Sequence, residues 1–309
     1  LLSRRQRQMC IRDRREGEIK TFDGKDGYVS MNQIVHKINI GHINEIHFAI
    51  LDLVNEFEFI TSRQLYQMLE IKGFDPKSQD KLNNKLEQLV KSKILTRYYF
   101  TSDEGKGIYR IYCLEKMGKY LLNSKEIDCK WQPSDNTKPV PMIKKRLAGN
   151  QTLIAYLRKV KAFDSYIVKP AITAKVTGKL FKASGGAVKL TKNNKSIQFV
   201  FEVIRREQDW EKKLVERMRL YKDFYENYVL GDSGFSSMPQ LILVCEDEKH
   251  MAETFKEIVK NQVEIPQIKL YFTTDLRQNK ETLEETLVEF KLVDGKYRME
   301  NVELKLLGM

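Results

Sequence analysis

The chain has 309 residues and a formal net charge of +12, from 54 Lys and Arg against 42 Asp and Glu. That length supports two ordinary domains, each with its own core. With no apolar run near the roughly 20 residues a spanning helix needs, a helical membrane segment is excluded, and with no signal peptide visible a cytoplasmic location is expected.

In chain order, Arg4-Arg-Gln-Arg-Gln-Met-Cys-Ile-Arg-Asp13 has no hydrophobic period. Residues 1–14 read as the frame translation of a sequencing adapter, a processing scar set apart from the fold, so the true N-terminus is expected to lie elsewhere. A basic nucleic-acid-binding arm is the alternative. These residues hold five Arg and one Asp, and without their +4 the chain carries +8. Residues 15–43 form an N-terminal extension. Cys10, Cys113, Cys129 and Cys245 make no C-x-x-C pair, and His36, His42, His47 and His250 show no ligand spacing. Neither a disulfide framework nor a zinc site is indicated, and no cofactor is expected.

Residues 44–122 read as the organising domain. Asn44–Phe57 places Ile46, Ile50, Leu53, Val54 and Phe57 at helical spacing. Thr61 is a predicted N-cap for a short helix through Leu69. The turn Gly73-Phe-Asp-Pro76 leads into a predicted helix over Ser78–Lys91. Its apolar residues Leu82, Leu86, Leu89 and Val90 form one stripe about 100° wide. The other side carries Lys77, Lys81, Asn84, Gln88 and Lys91, all able to bond phosphates or base edges. Ile94–Phe100 and Ile108–Leu114 then read as a β-hairpin closed by a loop over 101–107. Three helices followed by a hairpin make a winged helix, whose third helix enters the major groove; a module that binds protein is the alternative.

Charge supports the same surface. Residues 76–125 hold eleven Lys or Arg and five acids, a local +6 suited to phosphate attraction. Expected DNA-binding residues are Lys77, Lys81, Asn84, Lys85, Gln88, Lys91, Arg63, Arg97, Lys106 and Arg110. Asp103-Glu104 at the loop tip argues against deep minor-groove insertion there.

Glu115–Leu122 is a predicted closing helix, and residues 123–145, with Pro133, Pro139 and Pro141, a linker. The second domain, 146–309, is expected to open with a helix over Leu147–Val160. Strands follow at Tyr166–Ile172, Lys179–Ala183 and Ala187–Thr191, with a tight turn at Gly185-Gly186. Ser196–Arg205 is the most apolar strand and the expected central one. A helix over Asp209–Tyr228, a strand at Gln240–Cys245, a helix at Lys249–Asn261 and a strand at Ile268–Thr273 come next. Val288–Val293 and Tyr297–Leu306 read as final strands. The fold class is α+β or mixed α/β: a winged helix, then a sheet flanked by helices on the plan of the restriction-endonuclease-like fold.

Such nucleases hold Mg²⁺ with an Asp on a hairpin and an acidic-x-Lys pair on the next strand. Here Glu202 occupies the acidic position, but Ile204 stands two residues on. Residues Ser165 to Phe201 contain seven lysines (169, 175, 179, 182, 189, 192 and 195) and no Asp or Glu. The carboxylate set for hydrolysis is missing. Glu202 is therefore the weak catalytic candidate, and Glu202, Glu207 and Asp209 are expected to pair with nearby Arg and Lys.

The predicted winged helix, Arg146-Leu-Ala-Gly-Asn150, Phe199-Val-Phe-Glu-Val-Ile-Arg-Arg-Glu207 and Pro239-Gln-Leu-Ile-Leu-Val-Cys245 together resemble the replication-relaxation family of plasmids and conjugative elements. The resemblance spans roughly Asn44 to Thr274. It implies a DNA-binding accessory to plasmid replication or to relaxation of the transfer origin, working with a relaxase or replication initiator. Family members often keep acidic residues ahead of the central strand, and this chain lacks them, so cleavage is not carried over. The expected function is non-catalytic, sequence-specific binding of double-stranded DNA, with a homodimer left open. The alternatives are a Mg²⁺-dependent nuclease around Glu202 and a winged-helix transcriptional regulator.

Overall fold

The chain forms two units, Leu1–Lys138 and Pro139–Met309, and the computed structural model describes residues 18–19, 30–101, 108–129, 131–160, 163–192, 195–280, 283–294 and 296–302. Residues 1–14, the loop-tip Asp103 and Glu104, and the end of the last predicted strand lie outside them. Among the described residues no helix is long and apolar enough to cross a membrane.

In the first unit the extension contributes structure of its own. Ser30 and Gln33 cap each other at the start of α1 (Met31–Asn39), which buries Ile34. Lys37 Nζ then donates to Ser92 Oγ at 2.7 Å. Helix α2 (Glu45–Phe57) buries Ile50, Leu51, Leu53, Val54 and Phe57 on one stripe. After the short strand β2 (Ile60–Thr61), Thr61 and Gln64 form a second reciprocal cap, 3.1 Å in each direction, opening α3 (Ser62–Ile71); such caps contribute about 1 kcal/mol.

Gly73 ends that helix in a left-handed conformation (φ 80°), which costs glycine nothing. Its N–H reaches the Glu70 carbonyl, and the Phe74 N–H that of Leu69. Asp75 accepts from the backbone of Lys77, itself at φ 65°, and Ser78 Oγ accepts from the Lys81 N–H at 3.2 Å. That cap starts α4 (Gln79–Lys91), whose buried residues are Leu82, Leu86, Leu89 and Val90. Each large aliphatic so buried is worth about 1.5–3 kcal/mol.

Strands β3 (Leu95–Thr101) and β4 (Ile108–Leu114) pair antiparallel from Leu95↔Leu114 to Thr101↔Ile108. Strand β2 lines the free side of β4, and β1 (Glu18–Ile19) that of β3. Helix α5 (Lys116–Asn123) follows.

The predicted linker is mostly folded. A 3-10 turn at Pro133–Thr137 packs back on the first unit: Tyr98 Oη donates to the Asn136 carbonyl, and Asn136 Nδ2 to that of Leu114. The helix expected from Leu147 instead starts at Val140 and runs to Lys159 (α6). Pro139 and Pro141 are its starting residues rather than breakers, because the first helical turn has no use for a proline N–H.

The second unit holds a mixed seven-stranded sheet. Its strands are β5 (Phe163–Ile167), β8 (Ala187–Lys192), β9 (Lys195–Val203), β10 (Gln240–Cys245), β11 (Leu270–Thr274), β12 (Val288–Val293) and β13 (Lys296–Asn301), in the order β13-β12-β11-β10-β9-β8-β5. Strands β9, β10 and β11 are parallel and the remaining pairs antiparallel. The middle strand is thus β10, with β9 beside it, because β12 and β13 extend the far edge. The single strand expected over Tyr166–Ile172 is broken at Pro170, which cannot donate to a ladder. Its second part, β6 (Ala171–Ala174), instead pairs with β7 (Lys179–Lys182) as a separate hairpin.

Strand β9 shows why both faces of this sheet are covered. Phe201 packs against Tyr156 of α6 with the rings tilted by 53° and their centres 4.6 Å apart. Val200, one residue away, joins the core formed by α7 (Trp210–Glu226), α8 (Glu248–Lys260) and the β6–β7 hairpin. Alternate residues therefore meet apolar partners on opposite sides, and the strand reads as nearly continuous in apolar residues.

Candidate nucleic-acid interface

The outer side of α4 is set by what its inner side buries. With Leu82, Leu86 and Leu89 inward, Lys81, Asn84, Gln88 and Lys91 are all exposed, and Lys85 is half-buried beside them. Lys77 is exposed just ahead of the helix. From Lys81 to Lys91 the stripe runs about 15 Å, at 1.5 Å per residue. Asn84 and Lys81 make no side-chain hydrogen bond or ion pair among the described residues, while Lys77 is paired to Asp75 at 2.5 Å. Arg63 on α3 and Arg110 on β4 are exposed. Lys106 lies outside the described residues.

Arg97 departs from expectation. Its side chain is only 8% exposed, with Nη1 2.5 Å from Glu87 on α4 and the guanidinium over the Tyr99 ring. Buried and paired, it is a strut between hairpin and helix rather than a phosphate ligand. Lys91 sits 3.5 Å from the other oxygen of Glu87. The acid is thus balanced internally, and the outer stripe keeps its positive character.

Behind the stripe lies His47, buried on α2. Its Nδ1 lies 3.2 Å from the Asn44 backbone N and 2.9 Å from Asn44 Oδ1, and its Nε2 lies 3.3 Å from Gln88 Oε1. Burial, helped by the charge of Lys85, lowers its pKa from 6.5 to about 4. The folded imidazole therefore refuses a proton that the unfolded one accepts. Its contribution is complete above pH 6.5 and declines as pH falls towards 4. Urea melts should show the first unit weaker at about pH 4.5 than at about pH 7.5, and His47→Gln should flatten that difference.

The second unit presents a different arrangement at Glu202, which is fully buried on β9. Its Oε2 accepts from the Ser184 N–H at 3.3 Å and Tyr221 Oη at 2.9 Å, and its Oε1 from Ser184 Oγ at 3.0 Å. Lys145 Nζ and Arg217 Nε lie 3.7 and 3.5 Å from Oε1. Arg146 Nη1 donates to the Ser184 carbonyl, and burial pulls its pKa down to about 10, with the charge of Glu202 opposing. Glu207 pairs with Lys213 at 3.3 Å, whereas Asp209 is an exposed left-handed residue before α7. Among the described residues no three His, Cys, Asp or Glu are grouped to hold a metal.

What holds Ser184 in place is the approach of α6. A Cβ on Gly149 would meet the Ser184 carbonyl oxygen well inside 3.0 Å, and one on Gly185 would meet Phe201. The run Arg146-Leu-Ala-Gly-Asn150 is thus a close helix-to-sheet contact as well as a source of cations. Sequence reading misses Lys145 and Arg217, because three elements distant in sequence converge on Glu202.

No protein-family model matches the chain, and comparison with curated proteins and with solved structures returns no match.

Proposed function

We propose that this chain is a non-catalytic, sequence-specific binder of double-stranded DNA, its first unit a winged helix with α4 as recognition helix. The observation that carries the reading is the division of α4: four buried apolar residues on one side, and exposed Lys81, Asn84, Gln88 and Lys91 on the other. In this reading the lysines meet phosphates and the amides meet base edges. The His47 contact engages the Gln88 carbonyl. That contact helps to hold the Gln88 amide in one direction. The hairpin β3–β4 serves as the wing, with Arg110 beside the backbone.

The second unit is read as a restriction-endonuclease-like domain that has lost its carboxylates. Glu202 is the acid left near the expected position, and it is occupied by Ser184, Tyr221 and cations. The resemblance to the replication-relaxation family extends the proposal to a cytoplasmic accessory of plasmid replication or transfer-origin relaxation, partnered by a relaxase or initiator.

The test is binding of the full chain to a random-sequence duplex of about 30 base pairs by fluorescence anisotropy, with EDTA present, over a range of salt. The expected result is EDTA-insensitive binding whose logarithm falls steeply with the logarithm of salt, by roughly 0.9 per phosphate contacted. Absence of binding at low salt contradicts the proposal. Mg²⁺-dependent cutting abolished by Glu202→Ala favours the nuclease reading instead.

A further inference from the structure

We propose that Lys145 and Arg217 form a binding site for a phosphate group above Glu202 in the second unit, an inference that extends the DNA-binding reading to this unit. The charge balance is the first ground. Lys145, Arg146 and Arg217 gather about one carboxylate. The local excess is two positive charges, and desolvating like charges together costs free energy unless an anion compensates.

Hydrogen bonding supplies the second ground. Three neutral donors, Ser184 N–H, Ser184 Oγ–H and Tyr221 Oη–H, already take three of the roughly four acceptor directions on Glu202, which leaves Oε1 room for at most one more. Lys145 and Arg217 face the same oxygen at 3.7 and 3.5 Å, ion-pair distances at which neither donates a hydrogen bond to it. Their N–H groups are left for another acceptor, and both side chains keep a quarter to a third of their surface open, 30% and 26%. Arg217 is also fixed in direction, its guanidinium 5.0 Å from the centre of the Phe181 ring.

A tetrahedral oxyanion satisfies both cations at once, through charge-assisted bonds that a neutral ligand cannot match. Glu202 then acts as a positioning residue: it holds the two cations a short distance apart and limits the site to one anion. The chemistry fits a backbone phosphodiester or a free phosphate equally.

Two arms of one experiment separate these sources. The full chain is titrated with inorganic phosphate, against chloride at matched ionic strength, by calorimetry and thermal melting. Binding and stabilisation by phosphate are expected in the unaltered chain. Lys145→Gln should weaken both by about tenfold or more, as expected when one charge-assisted hydrogen bond is removed, and Arg217→Lys should retain part of the affinity. In the second arm the same variants bind a duplex of about 30 base pairs. A salt slope smaller by about one in Lys145→Gln assigns the site to the DNA backbone, and an unchanged slope with phosphate binding abolished assigns it to a free phosphate.

Phosphate no better than chloride, together with an unchanged salt slope, overturns the proposal. A chain that binds phosphate through Lys145 but fails to bind duplex sinks the DNA reading and leaves this site standing. Melting curves of Lys145→Gln without ligand show that the variant is folded.

Discussion

Replacing Asn84 with alanine is expected to relax sequence preference while leaving most non-specific affinity in place. Asn84 is exposed at the middle of the outer stripe of α4 and makes no side-chain hydrogen bond or ion pair among the described residues, so truncation disturbs no packing. An amide bidentate to a base edge discriminates by about 1–3 kcal/mol, a factor of roughly 5 to 150 between cognate and altered sites. Lys81→Ala and Lys91→Ala should do the opposite: weaker binding to every duplex, with the salt slope reduced by about one for each phosphate no longer neutralised. Removing Lys91 also strips a partner from Glu87, which stays held by Arg97. The contrast between amide and lysine variants, read by anisotropy on cognate and altered duplexes across a salt series, separates base recognition from phosphate attraction.

Gly149→Ala is expected to be the most disruptive single change in the second unit. The added methyl would overlap the Ser184 carbonyl, a backbone group that cannot rotate away. Either α6 shifts from the sheet or Ser184 moves. Moving Ser184 breaks its bonds to Glu202 and its acceptance of the Val203 N–H at 2.7 Å. Overpacking of this kind costs about 1–3 kcal/mol, and a buried carboxylate stripped of its two Ser184 donors adds to it. Calorimetry of the full chain should show a lowered transition for the second unit and an unchanged one for the first. An exposed control such as Gly178→Ala is less suitable, because that residue has φ 64°; Met142→Ala, on the open side of α6, serves better.

Much of this fold is legible in the sequence wherever an element's apolar pattern matches its burial, on one face for a surface helix and on both for an inner strand. The helix ending at Lys91 begins one residue after its predicted start, with Ser78 as its cap, since the leucine spacing and the lysines opposite favour the same structure. The strands Gln240–Cys245 and Val288–Val293 lie where their apolar and β-branched runs place them. Helix α1 is signalled by the helical spacing of Met31, Ile34, Val35 and Ile38 and by the Ser30 and Gln33 pair at its start, although it buries only Ile34. Elsewhere the local signal is overridden. The prolines at 139 and 141 look like breakers in sequence, yet a helix can begin on them.

The candidate interface divides along the same line. Exposure of the stripe on α4 follows from helical geometry and is readable in advance. The burial of Arg97 is not, because β3 is covered on both sides and alternation no longer tells an inward residue from an outward one. Nor are the surroundings of Glu202: Lys145, Ser184, Arg217 and Tyr221 come from separate places in the chain, and only the folded sheet brings them to one oxygen pair.

The most direct measurement is selection of bound fragments from random duplex DNA by the full chain, in EDTA, run beside the Asn84→Ala, Gln88→Ala double variant. One enriched site is expected for the unaltered chain, with that enrichment lost in the variant while bulk affinity for duplex is retained. Equal enrichment of the same site by both proteins would contradict this, since the outer stripe of α4 would then play no part in reading DNA.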